Sequence, residues 1–172
     1  MVVVASSAPI VSLAQAKYGD LLLCQKRTGQ RVLAVKSVGS WNGSQHLVSI
    51  AEFGKDAALW PYDLDLDHIV DLEALVDVSE TYTLLPSRSP ADHEVIGQGA
   101  ELGVMYLWGE KAAIRIGSSP TNEDFLGYLD LAGDILDRRP NPALTVHRWS
   151  IVAKLLTDEV TVFEFAGKLG PR

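Results

Sequence analysis

The side chains best suited to chemistry in this 172-residue chain lie in one short segment and are Asp63, Asp65, Asp67 and His68. Three carboxylates at alternate positions match the opening of a calcium-binding loop, where oxygen ligands surround a divalent cation. The rest of that loop is missing, because its sixth position is His68 instead of glycine and its twelfth is Ala74 instead of glutamate. The segment therefore predicts either a solvated acidic face or a composite site for a metal ion, ligand or substrate that needs groups from elsewhere in the chain.

The remaining titratable groups show no spacing typical of a catalytic or cofactor site. The four histidines, at positions 46, 68, 93 and 147, include no His-x-His or His-x-x-x-His pair that would place two rings on one metal. The glycine-rich stretch 97–103 departs from the dinucleotide fingerprint and precedes a hairpin pattern instead of a helix. Cys24 is the single cysteine and shares a strand face with Leu22, which favours a small core residue over a nucleophile. The sequence thus predicts no bound cofactor.

The charge balance argues against nucleic acid as a partner. With 22 acidic and 15 basic side chains, the formal net charge is −7, so the average field repels phosphate backbones. The densest basic group comprises Arg138, Arg139, Arg148 and Lys154. We interpret Arg138 and Arg139 as cations at a helix C-terminus. The weaker alternative is a winged-helix-like DNA-binding protein, in which these four residues would contact phosphates.

The expected location of the chain is the cytoplasm. No apolar run approaches the roughly 20 residues that a membrane-spanning helix needs, so we predict no membrane partner. A single cysteine cannot form an internal disulfide, which favours a reducing compartment. The N-terminal segment lacks a basic residue before its apolar stretch, unlike a secretory signal peptide.

The first half of the sequence has the pattern of a β-rich unit. Apolar runs within 21–38 flank a polar stretch with Gly29, which predicts a hairpin, and a third strand is expected at 46–53. The turn between them carries Trp41, an aromatic candidate for binding a partner. Residues 60–78 fit either a strand or a helix, and Asp67 as an N-cap leads us to favour a helix that begins there. A further strand is expected at 81–85.

The second half predicts a hairpin, a helix and a strand. A Gly109-Glu110 turn separates strands at 104–108 and 111–116. Apolar residues at spacings of four, three and four within 121–139 predict the clearest helix of the chain. Residues 144–156 fit a helix or a strand, and 160–165 predicts a final strand. A shared glycine before the first strand of each half, Gly19 and Gly103, is attributed to chance similarity between hairpins.

The predicted fold class is therefore α+β. An antiparallel β-rich N-terminal part, a small barrel or sandwich over 1–88, is expected to be joined by a loop at 89–96 to an α+β part over 97–172, as two units or around one shared core. The leading functional hypothesis is a non-catalytic interaction or assembly module that forms homo-oligomers through an exposed strand edge or an apolar face. The alternative is an enzyme or a ligand-binding or metal-binding protein that uses the segment 63–68.

Overall fold

The structure is a computed structural model that describes residues 8–55, 57–94, 101–141 and 143–167. These residues form fifteen strands and two short 3-10 turns, Leu66–His68 and Pro90–Asp92. The strands of the N-terminal half are β1 (Ile10–Val11), β2 (Leu21–Gln25), β3 (Arg31–Gly39), β4 (Gln45–Phe53), β5 (Tyr62–Asp63), β6 (Leu75–Asp77), β7 (Tyr82–Pro86) and β8 (His93–Glu94). Those of the C-terminal half are β9 (Met105–Trp108), β10 (Lys111–Gly117), β11 (Phe125–Asp130), β12 (Asp134–Leu136), β13 (Leu144–Val146), β14 (Arg148–Lys154) and β15 (Glu159–Ala166).

The predicted α+β class is wrong, because the described residues are almost entirely β-structure. The helix expected over 121–139 is replaced by β11 and β12, and the helix favoured over 67–78 by a 3-10 turn and β6. The ambiguous segment 144–156 contains β13 and β14. The winged-helix hypothesis therefore loses both of its helices. None of the helical turns among the described residues is long and apolar enough to span a membrane.

The false helix pattern has a physical cause in β11. Both faces of this strand are buried, since Leu129 packs into the largest hydrophobic cluster and Tyr128 into a separate one. Apolar residues therefore follow one another without the alternation of a half-exposed strand. Gly127 allows β11 and β12 to lie close together, because a Cβ at this position would lie 2.8 Å from the Leu136 carbonyl oxygen.

Six strands close into a ring that joins the two halves. Antiparallel pairs link β3 to β4, β4 to β5, β10 to β11 and β11 to β12. Two parallel contacts close the ring, β5 with β10 and β12 with β3. The last ring strand of each half, β5 or β12, thus pairs with the first ring strand of the other half. The largest hydrophobic cluster accordingly draws residues from both, such as Leu33 and Ile114.

The strand connections repeat between the halves. Outside the ring, β2, β6 and β1 extend from β3 in the order in which β9, β13 and β8 extend from β10. Gly19 and Gly103 have positive φ angles of 92° and 87°. Their backbone N–H groups donate to the Lys36 and Arg115 carbonyls, at 2.9 and 2.7 Å. The similarity attributed to chance is therefore an equivalence in topology, in which Lys36 corresponds to Arg115.

A second, three-stranded sheet packs beside the ring. Its order is β15-β14-β7, so β14 of the C-terminal half pairs with β7 of the N-terminal half. Trp149 of β14 is 1% exposed, stacks on Phe165 and donates its indole N–H to the Gly103 carbonyl at 2.7 Å. This sheet is thereby fixed to the turn that begins β9.

Candidate functional site

A groove runs along the contact between the halves. The parallel pairing of β5 with β10 brings residues 57–65 next to residues 118–123. Three adjoining clefts lie there, with volumes of about 490, 300 and 430 Å³. The first and second share Lys26 and Thr121, and the second and third share Leu59 and Trp60. We call this continuous depression the inter-half groove, and its parts the first, second and third clefts.

Three buried polar side chains meet between the first and second clefts. Lys26 follows β2, Glu52 lies on β4 and Tyr62 on β5. The Lys26 ammonium forms an ion pair with the Glu52 carboxylate and donates to the Tyr62 hydroxyl, which in turn donates to the same carboxylate. The side chains of Lys26 and Glu52 are only 13% and 2% exposed. Because an ammonium has three donors, these contacts within the described residues use two of the Lys26 N–H groups.

The Glu52 carboxylate also positions the wall of the groove. Its second oxygen accepts the Ala58 backbone N–H at 3.3 Å, which ties the segment before β5 to β4. Trp60 of the same segment donates its indole N–H to the Ser119 carbonyl at 3.1 Å. This second hydrogen bond joins the two walls of the groove directly.

Cys24 lies beside this cluster and is a core residue, which confirms the sequence interpretation. Its side chain is buried, and its Sγ donates to the Val32 carbonyl at 3.6 Å. Burial, opposed by Lys26 and reinforced by Glu52, raises the pKa of the thiol to about 12. Since the thiolate is the reactive form, the buried Cys24 stays in its unreactive thiol form near neutral pH.

Asp63 pairs with a histidine that sequence spacing did not connect to it. Its Oδ2 lies 3.0 Å from the His46 Nδ1, because β4 and β5 are adjacent in the ring. Burial raises the pKa of Asp63, while the charge and hydrogen bond of His46 oppose the rise. The other carboxylate oxygen, Oδ1, is buried without a hydrogen-bond partner.

The other candidates of the segment 63–68 point in different directions. Asp65 caps the 3-10 turn by accepting the Asp67 N–H at 3.0 Å, and its other oxygen is 3.7 Å from the His68 Nε2 on the exposed surface. The first cleft brings Asp63, Asp65 and His68 together, but Asp67 does not line it. Within the described residues, no group of three His, Cys, Asp or Glu side chains is arranged to hold a metal ion.

The remaining sequence candidates lie outside the groove. Trp41 is 46% exposed in the turn after β3, with its ring centroid 6.2 Å from that of His46. Arg138 and Arg139 are exposed after β12, so they do not end a helix. Arg148 and Lys154 lie at opposite ends of β14, about 20 Å apart along the strand, and Arg148 faces Glu164 at 3.5 Å.

Sequence reasoning missed the residues that the fold concentrates at the groove, namely Lys26, Glu52, Tyr62 and Arg115. One signal was present for Glu52, a charged residue within the apolar run of β4. Buried carboxylates require a partner, so its position predicted a cation nearby without identifying which one.

Comparison of the chain with known proteins gives no significant match to a family model, a curated protein or a solved structure. Function is therefore argued from the geometry of these sites alone.

Proposed function

We propose that this protein is a non-catalytic interaction module that self-associates through the hairpin formed by β14 and β15. The observation that carries the proposal is the apolar turn of this hairpin. Leu155 is 42% exposed and Leu156 is fully exposed. Two adjacent leucines in water at the tip of a hairpin are a typical feature of a contact surface. Their burial in a partner copy would stabilise the complex by about 1.5–3 kcal/mol for each leucine.

The strand next to this turn supports the same surface. Among the described strands, β15 pairs only with β14. Two hydrogen bonds at the ends of the β14–β15 ladder show which backbone groups of β15 face β14. The Leu155 N–H donates to the Asp158 carbonyl, and the Gly167 N–H donates to the His147 carbonyl. In the antiparallel alternation, the N–H groups of Thr161 and Glu164 then point away from β14. A second copy could pair with this edge about a two-fold axis.

The charge pattern makes the proposed contact specific. Glu159 and Glu164 on β15 disfavour pairing of two β15 edges in other registers, so association depends on the two leucines of the turn.

The single cysteine is buried with a raised pKa, which fits our expectation of a cytoplasmic protein.

Light scattering coupled to size-exclusion chromatography across a concentration series tests the proposal. We expect a dimer whose dissociation constant rises at least about 100-fold in Leu156→Ser, because both copies lose a buried leucine. Val70→Ser is the matched control, since Val70 is also an exposed apolar residue, 55% exposed, but lies outside the hairpin. A monomer at all concentrations, or equal effects of the two variants, would contradict the proposal.

A second candidate function is small-ligand binding in the first cleft. Its support is the meeting of Asp63, Asp65 and His68 with Lys26 across about 490 Å³, a volume suited to a small polar molecule. Ligand-observed NMR with a mixture of polyols and small amines tests this candidate. Binding is expected to be lost in Ser118→Trp, which fills the cleft, and retained in Glu110→Trp at an exposed turn. Binding that survives Ser118→Trp would exclude the cleft.

A further inference from the structure

The repeated topology makes Lys36 and Arg115 equivalent residues in different surroundings. Both lie on the central strand of their half, and both accept a backbone N–H from the positive-φ glycine before the preceding strand. Their partners across the ladder also correspond, since Lys36 faces Leu47 and Arg115 faces Tyr128. Comparing the two positions shows what each cation requires.

In the N-terminal half, the chain itself satisfies the cation. The Lys36 ammonium donates to the carbonyls of Leu13 and Ala16, at 2.6 and 2.7 Å. The Tyr18 ring covers it, with the nitrogen 5.1 Å from the ring centroid. Lys36 is only 4% exposed, and the carbonyl oxygens of its own half accept the hydrogen bonds of its ammonium.

In the C-terminal half, the cation borders an open cleft. Arg115 donates from one Nη to the Tyr128 hydroxyl at 3.1 Å, and its guanidinium carbon lies 4.2 Å from the centroid of the Phe125 ring. Its Nε is buried and has no acceptor in the described part of the chain. A guanidinium carries five donors in a fixed plane. Arg115 also donates to the Tyr106 hydroxyl, so aromatic residues hold it in place while its Nε–H stays without an acceptor among the described residues.

The third cleft supplies both charge and apolar surface around Arg115. Its volume is about 430 Å³, and Trp60 and Phe165 form apolar walls. Glu101 and Glu123 line the same space. An anion alone would meet the Glu123 carboxylate, and a cation alone would meet Arg115. A ligand that carries both charges beside an apolar group matches all of these surroundings.

We propose that the third cleft binds a small zwitterion, an α-amino acid with an apolar side chain. The ligand carboxylate accepts hydrogen bonds from Arg115, in the role that the Leu13 and Ala16 carbonyls have for Lys36. The ligand ammonium faces Glu123, and the side chain packs on Trp60 and Phe165. Phe165 belongs to β15, so the site borders the proposed self-association surface, but ligand binding is measured separately and does not depend on that proposal.

Isothermal titration calorimetry with L-phenylalanine as the probe tests the proposal. Two analogues each remove one charge, 3-phenylpropanoate the ammonium and 2-phenylethylamine the carboxylate. We expect L-phenylalanine to bind at least about tenfold more tightly than either analogue, because each loses a charge-assisted contact. No binding of L-phenylalanine up to about 10 mM, or equal affinity for the three probes, overturns the proposal.

Variants then assign the two charges. Arg115→Gln is expected to weaken L-phenylalanine binding at least about tenfold, whereas Arg31→Gln, at an exposed arginine on β3, leaves it unchanged. Should Arg115→Gln fail to fold, the variant Glu123→Gln provides an independent test. It is expected to bind L-phenylalanine and 3-phenylpropanoate with similar affinity. Preference for L-phenylalanine that persists in Glu123→Gln overturns the proposal.

Discussion

Removing Lys26 should destabilise the fold much more than removing its ion-pair partner Glu52. In Lys26→Met, the Glu52 carboxylate loses its counter-ion at a side chain that is 2% exposed. An uncompensated charge at such a site costs about 3–5 kcal/mol of unfolding free energy. In Glu52→Gln, the Lys26 ammonium is 13% exposed and borders two clefts. It can therefore move its charge towards water, and the expected cost is about 1–2 kcal/mol.

Urea unfolding monitored by tryptophan fluorescence measures this difference. We expect a lower midpoint for Lys26→Met with an unchanged slope, since the surface exposed on unfolding is the same. The double variant Lys26→Met with Glu52→Gln should be more stable than Lys26→Met alone, because no buried charge remains without a partner. Lys55→Met, at an exposed lysine, is the control for loss of a surface cation. The reasoning is refuted if Lys26→Met stays within about 1 kcal/mol of the wild type or if the two single variants are equally unstable.

Three further perturbations test separate parts of the structure. Gly133→Ala should lower the free energy of unfolding in urea by at least about 3 kcal/mol, and Gly29→Ala by about 1 kcal/mol. Both glycines have positive φ angles, but of these two only a Cβ at Gly133 would meet backbone, 2.4 Å from the Gly19 nitrogen. Cys24, whose pKa burial raises to about 12, should resist iodoacetamide at pH 8 in the folded protein and react in urea; rapid labelling of the native state would contradict this. The wild type should lose stability relative to Asp63→Asn as the pH rises from about 4. Burial raises the pKa of Asp63, so the folded state holds the Asp63 proton more tightly than the unfolded chain does. Parallel pH profiles of the unfolding free energy in the two proteins would exclude this effect.

Local turn chemistry made many of the strands predictable. Gly29 and Gly109 have positive φ angles of 91° and 57° in the described turns, and the predicted hairpins on either side of them are β2 with β3 and β9 with β10. The strands expected at 46–53, 81–85 and 160–165 are also confirmed, as β4, β7 and β15. Each of these predictions depends on residues within about ten positions of one another.

The closure of the ring and the composition of the site depend on contacts that no local pattern encodes. Tyr62 meets Gly117 across a parallel pair, 55 positions along the chain, and Lys26 meets Glu52 from a different element. The segment 63–68 was found because its charges are adjacent in sequence, whereas its partner His46 belongs to the neighbouring strand. Sequence patterns therefore indicated one wall of the groove and not the groups facing it.

The repeated topology also explains why the buried cluster of Lys26 lies in the N-terminal half and has no equivalent in the described residues of the C-terminal half. The loop between β2 and β3 spans five residues, 26–30, and supplies Lys26, whereas the equivalent loop between β9 and β10 spans only two. Tyr62 of β5 is 1% exposed, but its equivalent on β12 is the exposed Asp134. A buried cluster like that of Lys26 therefore requires the longer loop, which only the N-terminal half has. Two halves with the same strand connections thus differ where their loops differ, as expected when a repeated scaffold positions variable connections.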